Sequence, residues 1–215
     1  MLHTKQEMEH YLSNFITLFS VVDPIGVAWL FAAMTHGVAR EEQRRMALTA
    51  TLLASIILLV FFFSGTSLLD WFGITIPAFR IAGGALLFLL SIEMVFARHS
   101  GLRSTTRGEQ DEATHKQDIS IFPLAFPLLA GPGAITTVLL MTSAGSSSVI
   151  FLESLLVLLA VIIITLLALL YAPVLVRALG ETGANVISRI LGLLLAALAV
   201  QYIVDGIKTA FNLVS

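Results

Sequence analysis

Six apolar runs, each long enough to cross a bilayer, occupy nearly all of this chain and leave no stretch that could build a separate water-soluble domain. They cover residues 12 to 34, 46 to 69, 76 to 96, 119 to 143, 150 to 176 and 189 to 211. A helix rises about 1.5 Å per residue, so about 20 residues cross the roughly 30 Å of hydrocarbon. The runs predict an all-α membrane protein with six transmembrane helices. Composition agrees with this, because only 12% of the residues are charged, about half the proportion in soluble proteins.

The N-terminal MLHTKQEMEH lacks a small-residue cleavage site after an apolar core and predicts no removable signal peptide. The five histidines lie in the tail or the loops and there is no cysteine, which argues against a clustered transition-metal site. Orientation follows from the basic residues, since short loops rich in Lys and Arg stay on the cytoplasmic side. Arg40, Arg44, Arg45, Arg98, Arg103, Arg107, Lys116, Arg177 and Arg189 fall on one side of the six spans. Lys5, Arg80 and Lys208 fall on the other. This split predicts both termini outside, in the periplasm, and the basic loops in the cytoplasm.

The only long hydrophilic stretch, residues 97–118, divides the chain into a first three-helix unit (1–96) and a second (119–215). Its charged, Ser- and Thr-rich composition predicts a cytoplasmic linker. The two units share a pattern. Asp23-Pro24-Ile25-Gly26 lines up with Gly131-Pro132-Gly133-Ala134 at an offset of 108, and Arg80-Ile81-Ala82-Gly83 with Arg189-Ile190-Leu191-Gly192 at an offset of 109. Three helices per unit make the second enter the membrane in the opposite sense, the arrangement of inverted repeats in secondary transporters. The competing explanation is that Pro, Gly and interfacial Arg are simply common in membrane helices.

Each Pro interrupts the first helix of its unit. Asp23 stands eleven residues from either end of the run 12 to 34, about 16 Å along a helix and hence at the midplane. Pro24 cannot donate a backbone hydrogen bond, and Gly26 relaxes the backbone two residues later. Freed polar groups are tolerated in hydrocarbon only where protein or a wet cavity satisfies them, so the break should face the bundle interior. In the fourth helix Pro123, Pro127, Gly131, Pro132 and Gly133 prevent one continuous ladder.

The amides of Gly133 to Ile135, with the hydroxyls of Thr136 and Thr137, suit a carboxylate. Asp23 and the carbonyls near Ser20 suit a cation or an amine, so a zwitterion would satisfy both breaks. An Asp at a helix centre is disfavoured by roughly 2.5 to 3.5 kcal/mol on insertion scales. Asp23 therefore either serves binding or joins helices through a neighbouring Ser or Thr. Asn14, Thr17 and Ser20 climb one face toward it, and Gln201 and Asp205 share a face of the sixth helix. Ser20, Asp23, Gln201 and Asp205 are the candidates for ion coupling. Ser64-Gly65-Thr66-Ser67 offers a nucleophile, but no histidine lies within a span to activate it and there is no HExxH. The expectation is that the chain is not an enzyme.

FGITIPAFRIAGG (72–84), PLAFPLLAGPGAI (123–135), ETGANVISRILGLL (181–194) and VQYIVDGI (200–207) resemble the MarC family of integral membrane proteins, also called the neutral amino acid transporter family. The resemblance covers almost the whole chain. It implies a six-helix inner-membrane protein, some of whose relatives move glycine- or alanine-like amino acids on a sodium or proton gradient. The positions that match are Pro24, Arg80, Gly83, Gly84, Ala130 to Gly133, Arg189, Gly192, Gln201 and Gly206. Members often carry Asn where this chain has Asp23 and Asp205, so the charge at position 23 would tune the mechanism rather than define it.

The expected function is secondary active transport of small neutral amino acids by alternating access. The substrate-binding residues would be Asp23, Pro24, Gly26, Gly131, Gly133, Ala134, Thr136 and Thr137, with Arg80, Gly83, Gly84, Pro132, Arg189 and Gly192 structural. No cofactor or metal is expected beyond a coupling Na+ or H+, and no partner beyond a small zwitterionic substrate and membrane lipids, with no nucleic acid. Export of amino acids or small hydrophobic compounds, or a passive channel, is the alternative.

Overall fold

A computed structural model describes residues 2–96, 119–143 and 148–212; the proposed linker 97–118 lies outside the described residues. Among these residues every regular element is a helix. In chain order they are α1 (Leu2–Val22), α2 (Pro24–Met34), α3 (Arg40–Trp71), α4 (Ile76–Val95), α5 (Ser120–Leu129), α6 (Pro132–Ser143), α7 (Ser148–Leu170) and α8 (Ala172–Ala210). Five stretches are long and apolar enough to cross a membrane: Tyr11–Met34, Arg40–Trp71, Ile76–Val95, Val149–Leu170 and Thr182–Ala210. The pair α5 and α6, bent by 51° at their junction, makes six if counted as one broken span.

The outward faces are apolar, as a bilayer requires. Leu48, Leu52, Ile56, Val60 and Phe63 form an exposed stripe on α3, and Leu152, Leu156, Leu159, Ile163 and Leu167 another on α7. A soluble helix would bury a stripe with this helical spacing. The first broken span lies inside the bundle: 56% of its most apolar window is buried, against 22% for Thr182–Ala210. Phe122 and Phe126, each preceding a proline, have extended backbone torsions inside α5, because a following Pro disfavours the helical region. These positions make the fourth span irregular well before Pro132.

α4 and α8 make the most extensive helix contact in the structure. Glycines let their backbones approach. A Cβ on Gly84 would stand 2.7 Å from the Ala199 carbonyl oxygen, and one on Gly206 3.0 Å from that of Pro77. A Cβ on Gly192 would stand 2.7 Å from the Met94 Cβ. These contacts run in opposite directions along the two helices, so α4 and α8 are antiparallel.

One boundary differs from expectation. The fifth run was expected to continue to 176 and the sixth to open at Arg189, but α7 stops at Leu170 and α8 starts at Ala172. Pro173 sits in the first turn of α8, where its missing N–H costs nothing, and it could not have continued α7. Gly180, at φ 64°, redirects α8 a few residues later. ETGANVIS is consequently helical, and Arg189 lies within α8 instead of opening it.

Candidate functional site

The first break is one residue wide. The Asp23 amide still donates to the Phe19 carbonyl at 2.8 Å, so α1 hydrogen bonding continues to the break, and Val27 N closes the first turn of α2 onto the Asp23 carbonyl at 3.0 Å. Between them Asp23 takes a left-handed conformation, φ 50° and ψ 65°. Asp and Asn tolerate this region better than other side chains. The turn aims the Asp23 carboxylate at the N-terminus of α2, where Oδ1 accepts from Gly26 N at 3.1 Å. The partial positive charge there suits a carboxylate.

The same carboxylate reaches across to α8. Ser188 Oγ donates to Asp23 Oδ2 at 3.0 Å, with Oδ1 at 3.3 Å. Asp23 is 2% exposed. Gly26 is required beneath it, since a Cβ there would collide with the carboxylate and stand 3.1 Å from Ser188 Oγ. Ser188 is the residue that the sequence reading missed. It lies 165 positions from Asp23 in a stretch that composition marks as a loop, and only the helical extension of α8 brings it inward.

The buried polar face of α1 continues away from the break. Asn14, Thr17 and Ser20 are all buried. Thr17 is hydrogen-bonded to Tyr202 of α8, which has Arg80 and Asp205 as charged neighbours. Gln201 Nε2 donates to Asp205 Oδ1 at 2.8 Å on the exposed side of α8, so these two coupling candidates stand with Tyr202 and apart from Asp23. Among the described residues Ser20 Oγ has no hydrogen-bond partner.

The second break is a junction between two elements. Ala130 closes α5 through its amide on the Ala125 carbonyl, 2.9 Å, and α6 starts at Pro132. The Ile135 amide donates to the Gly131 carbonyl at 3.0 Å, so it is not free for a ligand. The amides of Gly133 and Ala134 precede the first intrahelical bond, and among the described residues neither has a backbone acceptor. They line a small cleft with Gly131, Pro127, Val21 and Leu90. Thr137 Oγ1 donates back to the Gly133 carbonyl at 2.9 Å. The Thr136 methyl faces Gly83 of α4.

The two breaks adjoin through Val21, whose Cγ1 would be 3.2 Å from a Cβ on Gly133. The Asp23 carboxylate turns to α8, and Gly133 and Ala134 line the cleft beside Leu90. Leu18 and Val22, on a different face of α1, line an apolar cavity with Thr51, Leu129, Leu158 and Val161. The Thr51 hydroxyl there is buried and has no hydrogen-bond partner among the described residues.

Comparison with known proteins places the chain in a family. The family described as MarC family integral membrane protein matches residues 8–211. UPF0056 membrane protein YhcE of Escherichia coli is 38% identical over 98% of this chain and 98% of its own length. UPF0056 membrane protein YvbG of Bacillus subtilis is 37% identical over 92% of this chain and 93% of its own. A UPF0056 membrane protein of Archaeoglobus fulgidus is 34% identical over 93% of each. No solved structure matches the chain.

Proposed function

This chain belongs to the MarC family of integral membrane proteins, and from that premise we propose that it is a secondary active transporter of small neutral amino acids such as glycine and alanine. It would work in the inner membrane, with termini outside, by alternating access coupled to a sodium or proton gradient. The observation that carries this reading is the cleft at the second break. Among the described residues the Gly133 and Ala134 amides have no backbone acceptor, and they stand at the N-terminus of α6 in a cleft shared with the side chains of Val21, Leu90 and Pro127. Such a helix end favours an anion, and a carboxylate entering the cleft would pair both amides.

The other break supports the same chemistry. Position 23 aligns with position 131, and the N-terminus of α2 is capped by the carboxylate of Asp23. At the N-terminus of α6 the aligned residue is Gly131, which has no side chain to place there. The substrate carboxylate would occupy the second site as the Asp23 carboxylate occupies the first. Helix packing supports a repeat. α3 packs on α5 and α6 as α7 packs on α1 and α2, α6 packs on α4 as α2 packs on α8, and α4 packs on α8. These pairs exchange when the halves are exchanged, which supports the inverted repeat, although the contacts of α1 with α8 and of α7 with α6 and α8 have no counterpart of similar extent.

The apolar cavity beside Thr51 favours a second reading, export of small hydrophobic compounds, in which that cavity would hold the solute. Proteoliposomes separate the two. The protein should accumulate labelled alanine or glycine under an imposed sodium or proton gradient and exchange it in counterflow. Gly133→Leu, whose side chain would enter the space beside Val21 and Leu90, should abolish uptake while the protein remains monodisperse. Absence of gradient-driven uptake and of exchange for every amino acid in a panel would overturn the proposal.

A further inference from the structure

The exposed stripes of α3 and α7 named above are apolar throughout, as lipid contact requires, whereas α8 interrupts its own with an amide. Ile190, Leu194, Ala197, Gln201, Val204 and Lys208 are exposed and recur at alternating spacings of four and three residues. That period, about 3.5, is the seam of a helix that packs along a partner helix. The depth of Gln201 follows from the contact of α8 with α4. α4 (Ile76–Val95) is 20 residues long, about the thickness of the hydrocarbon. Gly84, eight residues into α4, abuts Ala199. Gln201 therefore lies roughly 9 Å inside the boundary at the Ile76 end.

Gln201 is not satisfied there. Its Nε2 donates one bond to Asp205 Oδ1 at 2.8 Å. A side-chain amide has a second N–H and a carbonyl oxygen, and among the described residues neither has a partner. Acyl chains can supply none. Ala199 is buried against α4, and two residues on Gln201 points to the far side of the helix, out of the bundle and away from any interior cavity.

We infer that this face of α8 is the interface with a second copy of the chain, packed parallel about a two-fold axis along the membrane normal. The free amide groups need one acceptor and one donor at the same depth, and a two-fold axis supplies both from the identical residue. Each Gln201 carbonyl accepts from the free N–H of its counterpart, while Asp205 holds the other N–H and fixes which way the amide turns. Ala197, one turn earlier, lets the helices approach. Lys208 ends the seam near the boundary, where its ammonium reaches water. A polar residue at one position of a heptad seam sets register and oligomeric state, and Gln201 does so for this pair. The interface is independent of what the protein transports.

The chain has no cysteine, so single cysteines in the full-length protein report the contact without background. In membranes treated with copper phenanthroline, Ala197→Cys should give a disulfide-linked dimer on a non-reducing gel. Leu52→Cys, exposed on α3, should remain monomeric at the same expression level. In liposomes, photobleaching of singly labelled protein over a range of protein-to-lipid ratios should show a monomer–dimer equilibrium. Gln201→Leu should raise its dissociation constant by about tenfold and lower the cross-linked fraction of Ala197→Cys. Should Gln201→Leu fail to fold, the two cysteine variants still decide the matter. Equal cross-linking at Leu52 would overturn the interface, as would wild-type protein that is monomeric at every density. So would a dimer that Ala197→Cys does not trap, which would assign another face, or a cross-link from Ala197→Cys to a protein of different mass.

Discussion

At position 23 the backbone constrains the side chain before its charge does. Asp23 is left-handed at φ 50° and caps α2 through Gly26 N. Asn can adopt the same conformation and accept the same bond. Asp23→Asn should therefore keep the fold, whereas Asp23→Ala loses the cap, about 1 kcal/mol, and strains the left-handed turn by about another 1 kcal/mol. Thermal unfolding in detergent should rank the wild type and Asn variant close together and the Ala variant well below them. Equal stability of the Ala and Asn variants would show that the turn does not need an Asx side chain. The break was legible in Asp-Pro-Ile-Gly, because Pro and Gly act on local backbone geometry. The partner was not: Ser188 meets Asp23 only through packing between distant helices, which no local spacing encodes.

Hydropathy located the helices well, because the requirement for internal hydrogen bonding in lipid applies to every residue of a span. It misplaced the junction of α7 and α8, where an apolar run continues through Pro173 and a polar stretch is nevertheless helical. Hydropathy also could not say which helices touch. In α4 and α8 that information resides in glycines, and the consequence is testable. Gly84→Val would force a side chain toward the Ala199 carbonyl, from which a Cβ is already only 2.7 Å. Overpacking of this kind costs about 1 to 3 kcal/mol. Ala85→Val, one position along on an exposed face, should leave the unfolding temperature nearly unchanged. If both variants unfold at the wild-type temperature, the close α4–α8 approach does not contribute to stability.

Across the whole molecule the halves depend on one another more than on themselves. Among the described residues no two spans of the first half pack extensively together; α1 packs on α6, α7 and α8, α2 on α7 and α8, α3 on α5, α6 and α7, and α4 on α6 and α8. A division at residues 97–118, although plain in composition, therefore separates sequence units and not folding units. A helix in lipid gains nothing from hiding apolar surface, so it is held by packing and interhelical hydrogen bonds. In this chain those come mostly from the other half. Cutting the chain within 97–118 and co-expressing the fragments should give two pieces that co-purify through a tag on either one and unfold together. Each fragment expressed alone should be degraded or aggregate, because its packing partners are absent. A first-half fragment that is monodisperse and resists protease alone would contradict the interleaved packing. It would also remove the packing support for two repeats moving against each other around Asp23 and Gly133.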